Sequence, residues 1–169
     1  VDPRITFTRA STATYCDAQG VLRTAASGVP RIDFDPVTLE CKGLLIEEAR
    51  TNLLLNSVLA GTNLATQSVT VTAVAHTLSF YGTGTVTLSG THAAAVVGTG
   101  AYHARTPLTF TPTAGTLTLT VTGTVQFAQL ETGAFPTSYI PTVASQVTRT
   151  ADVAVMTGAN FSSWFRQGE

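Results

Sequence analysis

The chain has 169 residues, of which 44% are hydrophobic, only 11% are charged and 32 are threonine, and its formal net charge is −1. A soluble domain usually carries about 25% charged residues, so hydroxyl groups must keep much of this surface wet, threonine packing its methyl while leaving its hydroxyl exposed. One lysine and no basic stripe exclude nucleic acid as a partner, and no run approaches the roughly 20 apolar residues of a membrane span, so no membrane insertion is expected.

Residues 1–50 read as a separate and more polar segment. Two short extended runs flank 17–20, where Asp17 and Gly20 supply turn chemistry and predict a hairpin. A second turn at Asp35-Pro36 sets 31–34 and 39–46 on either side. The run Gly-Leu-Leu-Ile-Glu-Glu-Ala-Arg-Thr-Asn-Leu-Leu-Leu at 43–55 reads either as helix, from propensity, or as an extended strand entering the next domain. Cys16 and Cys41 are the only cysteines. They read as free thiols, as one possible disulfide within the chain, or as a bond to another subunit, and neither has a Cys or His at metal-ligand spacing.

From Thr66 to Thr124 the chain alternates threonine or serine with aliphatic residues, most plainly in Thr-Leu-Thr-Leu-Thr-Val-Thr at 116–122. Period two places threonines on one face and apolar residues on the other, as in half-buried antiparallel strands. Strands are predicted at 67–74, 77–81, 84–89, 103–111, 115–122, 124–131 and 136–140, with Gly and Pro turns between them. This pattern belongs to a sandwich or barrel. Parity puts Val69, Val71, Leu78, Phe80, Val86, Leu88, Leu108, Phe110, Leu117, Leu119, Val121, Val125 and Phe127 inside. Gln126 and Gln129 fall on opposite faces, so the last of these strands should bulge or be buried on both sides. Residues 147–155 return to alternation, as an edge strand or as an exit toward a further domain. The aromatics of 161–165 lead us to expect a chain that continues past 169.

No catalytic constellation emerges. His76, His92 and His103 lack metal spacing and a nucleophile motif, and read as loop or surface residues. Tyr-Gly-Thr-Gly at 81–84 and Gly-Thr-Gly at 98–100 lack the third glycine and following helix of a phosphate loop, and read as turns. Asp33 and Asp35 share a face at a separation that would suit glycan cleavage, but a solvated turn is the simpler reading, and Glu131 is expected to anchor a turn or meet Arg105. Sugar sites combine aromatic platforms with a few planar polar groups. Tyr81, Tyr102, Tyr139 and Trp164 are the candidate glycan contacts, with Asn52, Asn56 and Gln126 as polar partners.

Two segments carry a resemblance: Leu-Ile-Glu-Glu-Ala-Arg-Thr-Asn-Leu-Leu-Leu-Asn-Ser at 45–57 and Gln-Leu-Glu-Thr-Gly-Ala-Phe-Pro-Thr-Ser-Tyr-Ile-Pro-Thr at 129–142. Together with Ile-Thr-Phe-Thr-Arg-Ala-Ser-Thr-Ala-Thr-Tyr at 5–15 and Asn-Phe-Ser-Ser-Trp at 160–164, they resemble fibre and head-spike proteins of tailed bacteriophages and prophages. The second segment also resembles carbohydrate-binding-module-like jelly rolls. The resemblance implies an all-β chain: an irregular, hairpin-containing N-terminal attachment segment (1–57), an antiparallel jelly-roll β-sandwich (58–142) and a strand or linker (143–169) toward a downstream domain. It implies a homotrimeric structural component of the virion, assembled in the host cytoplasm and exposed on the particle, with other virion proteins and host-surface polysaccharide as partners. It carries over no catalytic residue or cofactor, so the chain is expected not to be an enzyme. An accessory module of a polysaccharide depolymerase, with catalysis elsewhere, is the alternative. Glycan cleavage by Asp33, Asp35 or Glu131 is a third.

Overall fold

The computed structural model describes residues 2–57, 63–163 and 165. The chain is all-β with antiparallel pairing, and it divides into two compact units. One unit is built from the residues up to 49 together with those from 149 onward, and the other from residues 50–148. The divisions therefore fall at 49/50 and 148/149, where the sequence placed them at 57/58 and 142/143. The tail shares its unit with the N-terminal segment.

The first unit opens with β1 (Thr6–Thr8), β2 (Ala13–Cys16), β3 (Leu22–Ala25), β4 (Ile32–Phe34) and β5 (Cys41–Leu44). β2 and β3 form the expected hairpin, with Tyr15 opposite Arg23. Its turn is made by Asp17, whose carboxylate accepts the N–H groups of Gln19 and Val21 at 3.0 and 2.9 Å. Gly20 closes it at φ 75°, where a Cβ would lie 2.9 Å from the Pro36 carbonyl oxygen. β4 and β5 pair around the second turn, where Asp35 accepts the N–H groups of Val37 and Thr38. Those two bonds and the nearby Lys42 hold the Asp35 carboxyl well below the usual range. Both cysteines are free thiols, Cys16 buried and Cys41 exposed.

The second unit contains β6 (Arg50–Asn52), β7 (Gln67–Val71), β8 (His76–Tyr81), β9 (Thr85–Gly90), β10 (Ala94–Val97), β11 (Thr106–Phe110), β12 (Gly115–Thr122), β13 (Gln126–Thr132) and β14 (Val147–Arg149). The ambiguous run at 43–55 is thus extended, not helical. Four strands form one sheet in the order β10-β9-β12-β7 and three form another in the order β11-β8-β13, while β6 pairs with β14. The Leu53 N–H donates to the Leu130 carbonyl oxygen at 2.8 Å, so the chain leaving β6 runs beside β13. The two main sheets close on one core as a sandwich. Val69, Val71, Leu78, Phe80, Val86, Leu88, Phe110, Leu117, Leu119 and Val125 fill it, with Leu108 and Val121 packed against its margin.

Phe127 is the exception to the parity reading. The pairing of β13 with β8 shifts register between Gln126 and Gln129, and Phe127 takes φ 47° there. Such a bulge inserts a residue and reverses which side chains face inward. Ala128 and Leu130 therefore enter the core while Phe127 turns out of it. Beyond the bulge Gln129 and Glu131 lie on the outer face, yet both are fully buried. What covers them is the following segment: 136–140 is not a strand but an extended stretch folded back across the sheet. The sequence reading also passed over β10, because Ala-Ala-Val-Val shows no alternation.

The chain then returns to the first unit through β15 (Val153–Val155), which pairs with β1, and a short helix follows, α1 (Gly158–Ser162). Asp152 precedes β15 and is wholly buried. Its carboxylate meets Arg9 at 3.0 Å and Arg31 at 2.5 Å, and accepts the Glu47 N–H at 2.9 Å. Glu47 in turn meets Arg31 and Arg149 at 2.9 and 2.8 Å. Charges this deep are tolerated because each is paired and hydrogen-bonded.

Candidate functional site

At one end of the sandwich four aromatic rings converge from four places in the sequence. Tyr81 ends β8, Phe127 sits at the bulge of β13, Tyr102 lies in the β10–β11 connection and Tyr139 belongs to the segment that folds back. Tyr81 lies 5.2 Å from Tyr102 and 6.1 Å from Phe127, and Phe127 lies 5.4 Å from Tyr139, centroid to centroid. These are the separations and tilted geometries that ring quadrupoles favour. His103 adds an exposed ring 4.5 Å from Tyr102 and stands at φ 98°. Two of the five residues thus hold backbone conformations that L side chains rarely adopt, a form of strain that gathers at functional sites.

The backbone beneath is drawn tight by glycines. Gly82 and Gly100 form a β-bridge, and the Gly84 N–H donates to the Thr124 carbonyl oxygen at 2.8 Å. At Gly82, φ 121°, a Cβ would fall 2.0 Å from the Thr124 carbonyl oxygen, so no other residue fits. The two Gly-x-Gly stretches are not the turns their spacing suggested: they run side by side, the Gly98 N–H donating to the Gly84 carbonyl oxygen at 2.8 Å, and the turn falls beyond them at Tyr102 and His103.

Of the candidate contacts, Tyr81 and Tyr102 are half-buried rings of this cluster, with Gln126 at its rim, paired in register with Tyr81. Tyr139 has to be reassigned. It is 5% exposed, and its hydroxyl donates to the Ser57 carbonyl oxygen at 2.5 Å, so it supports Phe127 from within instead of presenting a face. Trp164 lies outside the described residues. Asn52 is fully buried: its amide donates to the carbonyl oxygens of Ala128 and Ile140 at 3.1 and 2.8 Å, and its carbonyl accepts the N–H groups of Leu54 and Leu130. Asn56 is exposed, at φ 52°. Phe127 and His103 were not singled out as contacts, since the bulge that exposes Phe127 has no sequence signal beyond the awkward parity of Gln126 and Gln129.

Residues 45–57 and 129–142 meet in one buried polar network. Glu131 accepts the Thr137 N–H at 2.8 Å and its hydroxyl at 2.6 Å, Gln129 accepts the Ile140 N–H at 2.6 Å, and Ser57 lies 2.9 Å from the Thr142 hydroxyl. Arg105 donates to the Thr137 carbonyl oxygen and to Ser79. Glu131 is the turn anchor the sequence pointed to. Asp33 accepts the Cys16 N–H and Asp35 its own turn, so all three carboxylates are engaged in architecture. Among the histidines, His76 is buried with Nδ1 2.8 Å from the Val74 carbonyl oxygen, and His92 stacks on Phe110.

Residues 50–148 contain three charged side chains, Arg50, Arg105 and Glu131. None is exposed. Arg50 lies 5.2 Å from the Phe135 ring and 3.9 Å from Glu131. The site region is therefore aromatic, hydroxylic and free of exposed Lys, Arg, Asp and Glu. Comparison with family models, curated proteins and solved structures finds no match.

Proposed function

We propose that this chain is a structural module of a bacteriophage head or tail fibre, a non-enzymatic virion component that contacts host-surface glycans. The observation that carries the glycan contact is the cluster of Tyr81, Tyr102 and Phe127. Half-exposed rings with a polar rim suit stacking on a sugar ring. The fibre assignment rests on the family resemblance of 45–57 and 129–142. The strand order supports the jelly-roll reading: once the chain at β6 is placed beside β13, the sheets read β6-β13-β8-β11 and β7-β12-β9-β10, the order of two interleaved Greek keys. The module assembles as a homotrimer with other virion proteins around it.

A glycan array tests the contact. Wild-type protein is expected to bind at least one host-surface glycan, and Tyr102→Ala to weaken that binding about tenfold or more. Equal binding by both would remove the cluster from the reading. Sedimentation of the protein tests the trimer, and a monomer at micromolar concentration would overturn it.

A further inference from the structure

We infer that the glycan is neutral, and that it lies along the bare hydroxyl face of the four-stranded sheet. This narrows the glycan reading above, on which it rests, to one chemical class and adds a second surface. The two sheets of the sandwich are treated differently by their own chain. On the outer face of β11-β8-β13 the segment that follows β13 covers β8 and β13, burying Thr77, Ser79, Gln129 and Glu131, while Pro107 and Thr109 of β11 stay exposed. No described segment covers the corresponding face of β10-β9-β12-β7.

On that face Thr116, Thr118, Thr120 and Thr122 form a row along β12. Thr87 stands opposite Thr120 on β9, and the Ser68 hydroxyl lies 2.8 Å from that of Thr118. Alternate residues on a strand are about 6.7 Å apart and strands about 4.8 Å, so the face is a grid of hydroxyls and methyls. Each hydroxyl donates once and accepts twice. A sugar polymer presents the same mixture of O–H groups and C–H patches.

Charge decides the class. The four strands of this sheet contain no Lys, Arg, Asp or Glu. Uronates, sialates and phosphate-bearing polymers are recognised by guanidinium or ammonium groups, and the two arginines of residues 50–148 already serve Thr137, Ser79, Phe135 and Glu131. Area decides against a second copy of the chain as the occupant. Four strands of about six residues offer a face on the order of 400 Å², about half of what each partner buries in a stable interface. A polymer has no such requirement, since weak contacts to one chain add through the copies of a fibre. The threonine row also runs toward the aromatic end: Thr122 leads through Gly123 to Thr124, which bonds Gly84 near Tyr81.

Affinity electrophoresis of the 169-residue protein in gels containing dextran, hydroxyethyl cellulose or galactomannan, against alginate, tests the inference. The expected result is retardation by at least one neutral polymer and not by alginate, lost about tenfold or more in Thr116→Lys/Thr120→Lys with an unchanged far-ultraviolet spectrum. Thr116→Ser/Thr120→Ser, which keeps the hydroxyls, should retain it, and loss in this pair as well overturns the hydroxyl track. Retardation by alginate alone overturns neutrality while leaving the glycan reading in place. Loss in Tyr102→Ala with none in the lysine pair overturns the hydroxyl track alone. No retardation by any polymer overturns both. A change in sedimentation of the lysine pair, with neutral binding intact, assigns the face to a second copy and overturns the inference.

Discussion

The Tyr139 hydroxyl donates to the Ser57 carbonyl oxygen at 2.5 Å, and burial pushes its pKa up to about 12. In the unfolded chain the phenol ionises near 10, so the folded state holds the proton more tightly. Its contribution to stability is complete below about pH 10 and is lost as the pH climbs toward 12. Spectrophotometric titration should find a tyrosine step near pH 12, and that step should vanish in Tyr139→Phe. The same variant leaves the Ser57 acceptor unmet and should cost about 1–3 kcal/mol at neutral pH, read from urea unfolding. Asp152 is the counterpart in the other unit. Asp152→Ala leaves Arg9 without a carboxylate in a buried site and Arg31 with Glu47 alone, and a loss of about 3–5 kcal/mol is expected in thermal or chemical unfolding.

Among the elements, β13 carries one extra residue. Deleting Phe127 would restore simple alternation, and Val125-Gln126-Ala128-Gln129-Leu130 would still point Ala128 and Leu130 into the core. The deletion should therefore still unfold cooperatively by circular dichroism, as should Phe127→Asn, a residue that tolerates positive φ, whereas both should lose the ring that Tyr81 and Tyr139 pack against. This element also marks where sequence reading stops. Threonine alternation located β7, β8, β9, β11 and β12 and most of their inward residues, because period two is a local property. The bulge left a trace in the misfit of Gln126 and Gln129, but which residue it expelled depended on pairing with β8. β10 went unseen, its side chains being small and apolar on both faces. Tyr139 was misjudged for a related reason: burial by a segment folding back is a tertiary fact. The arginine–carboxylate cluster joins residues more than a hundred positions apart, such as Arg9 and Asp152, and has no local signature at all.

At the scale of the molecule, residues 50–148 carry their own core and their own terminal pairing, β6 with β14. Expressed alone they should fold cooperatively, with dispersed amide resonances in a proton–nitrogen correlation spectrum. Residues 1–49 alone should not, because Arg9 and Arg31 lose Asp152 and β1 loses β15. A mixture of residues 1–49 with a peptide of residues 149–169 tests whether the unit reassembles from its two pieces.

The β6–β14 pairing has a consequence for ancestry as well as for folding. The hydroxyls of Thr51 and Thr148 lie 2.7 Å apart, so the ninety-odd residues between them leave and return at a single point. A loop that opens and closes at one place can be lengthened, shortened or exchanged without stretching what holds it. Recombination across the codons around 50 and 148 would exchange residues 50–148 while leaving the pairings of β1 with β15, β2 with β3 and β4 with β5 as they are.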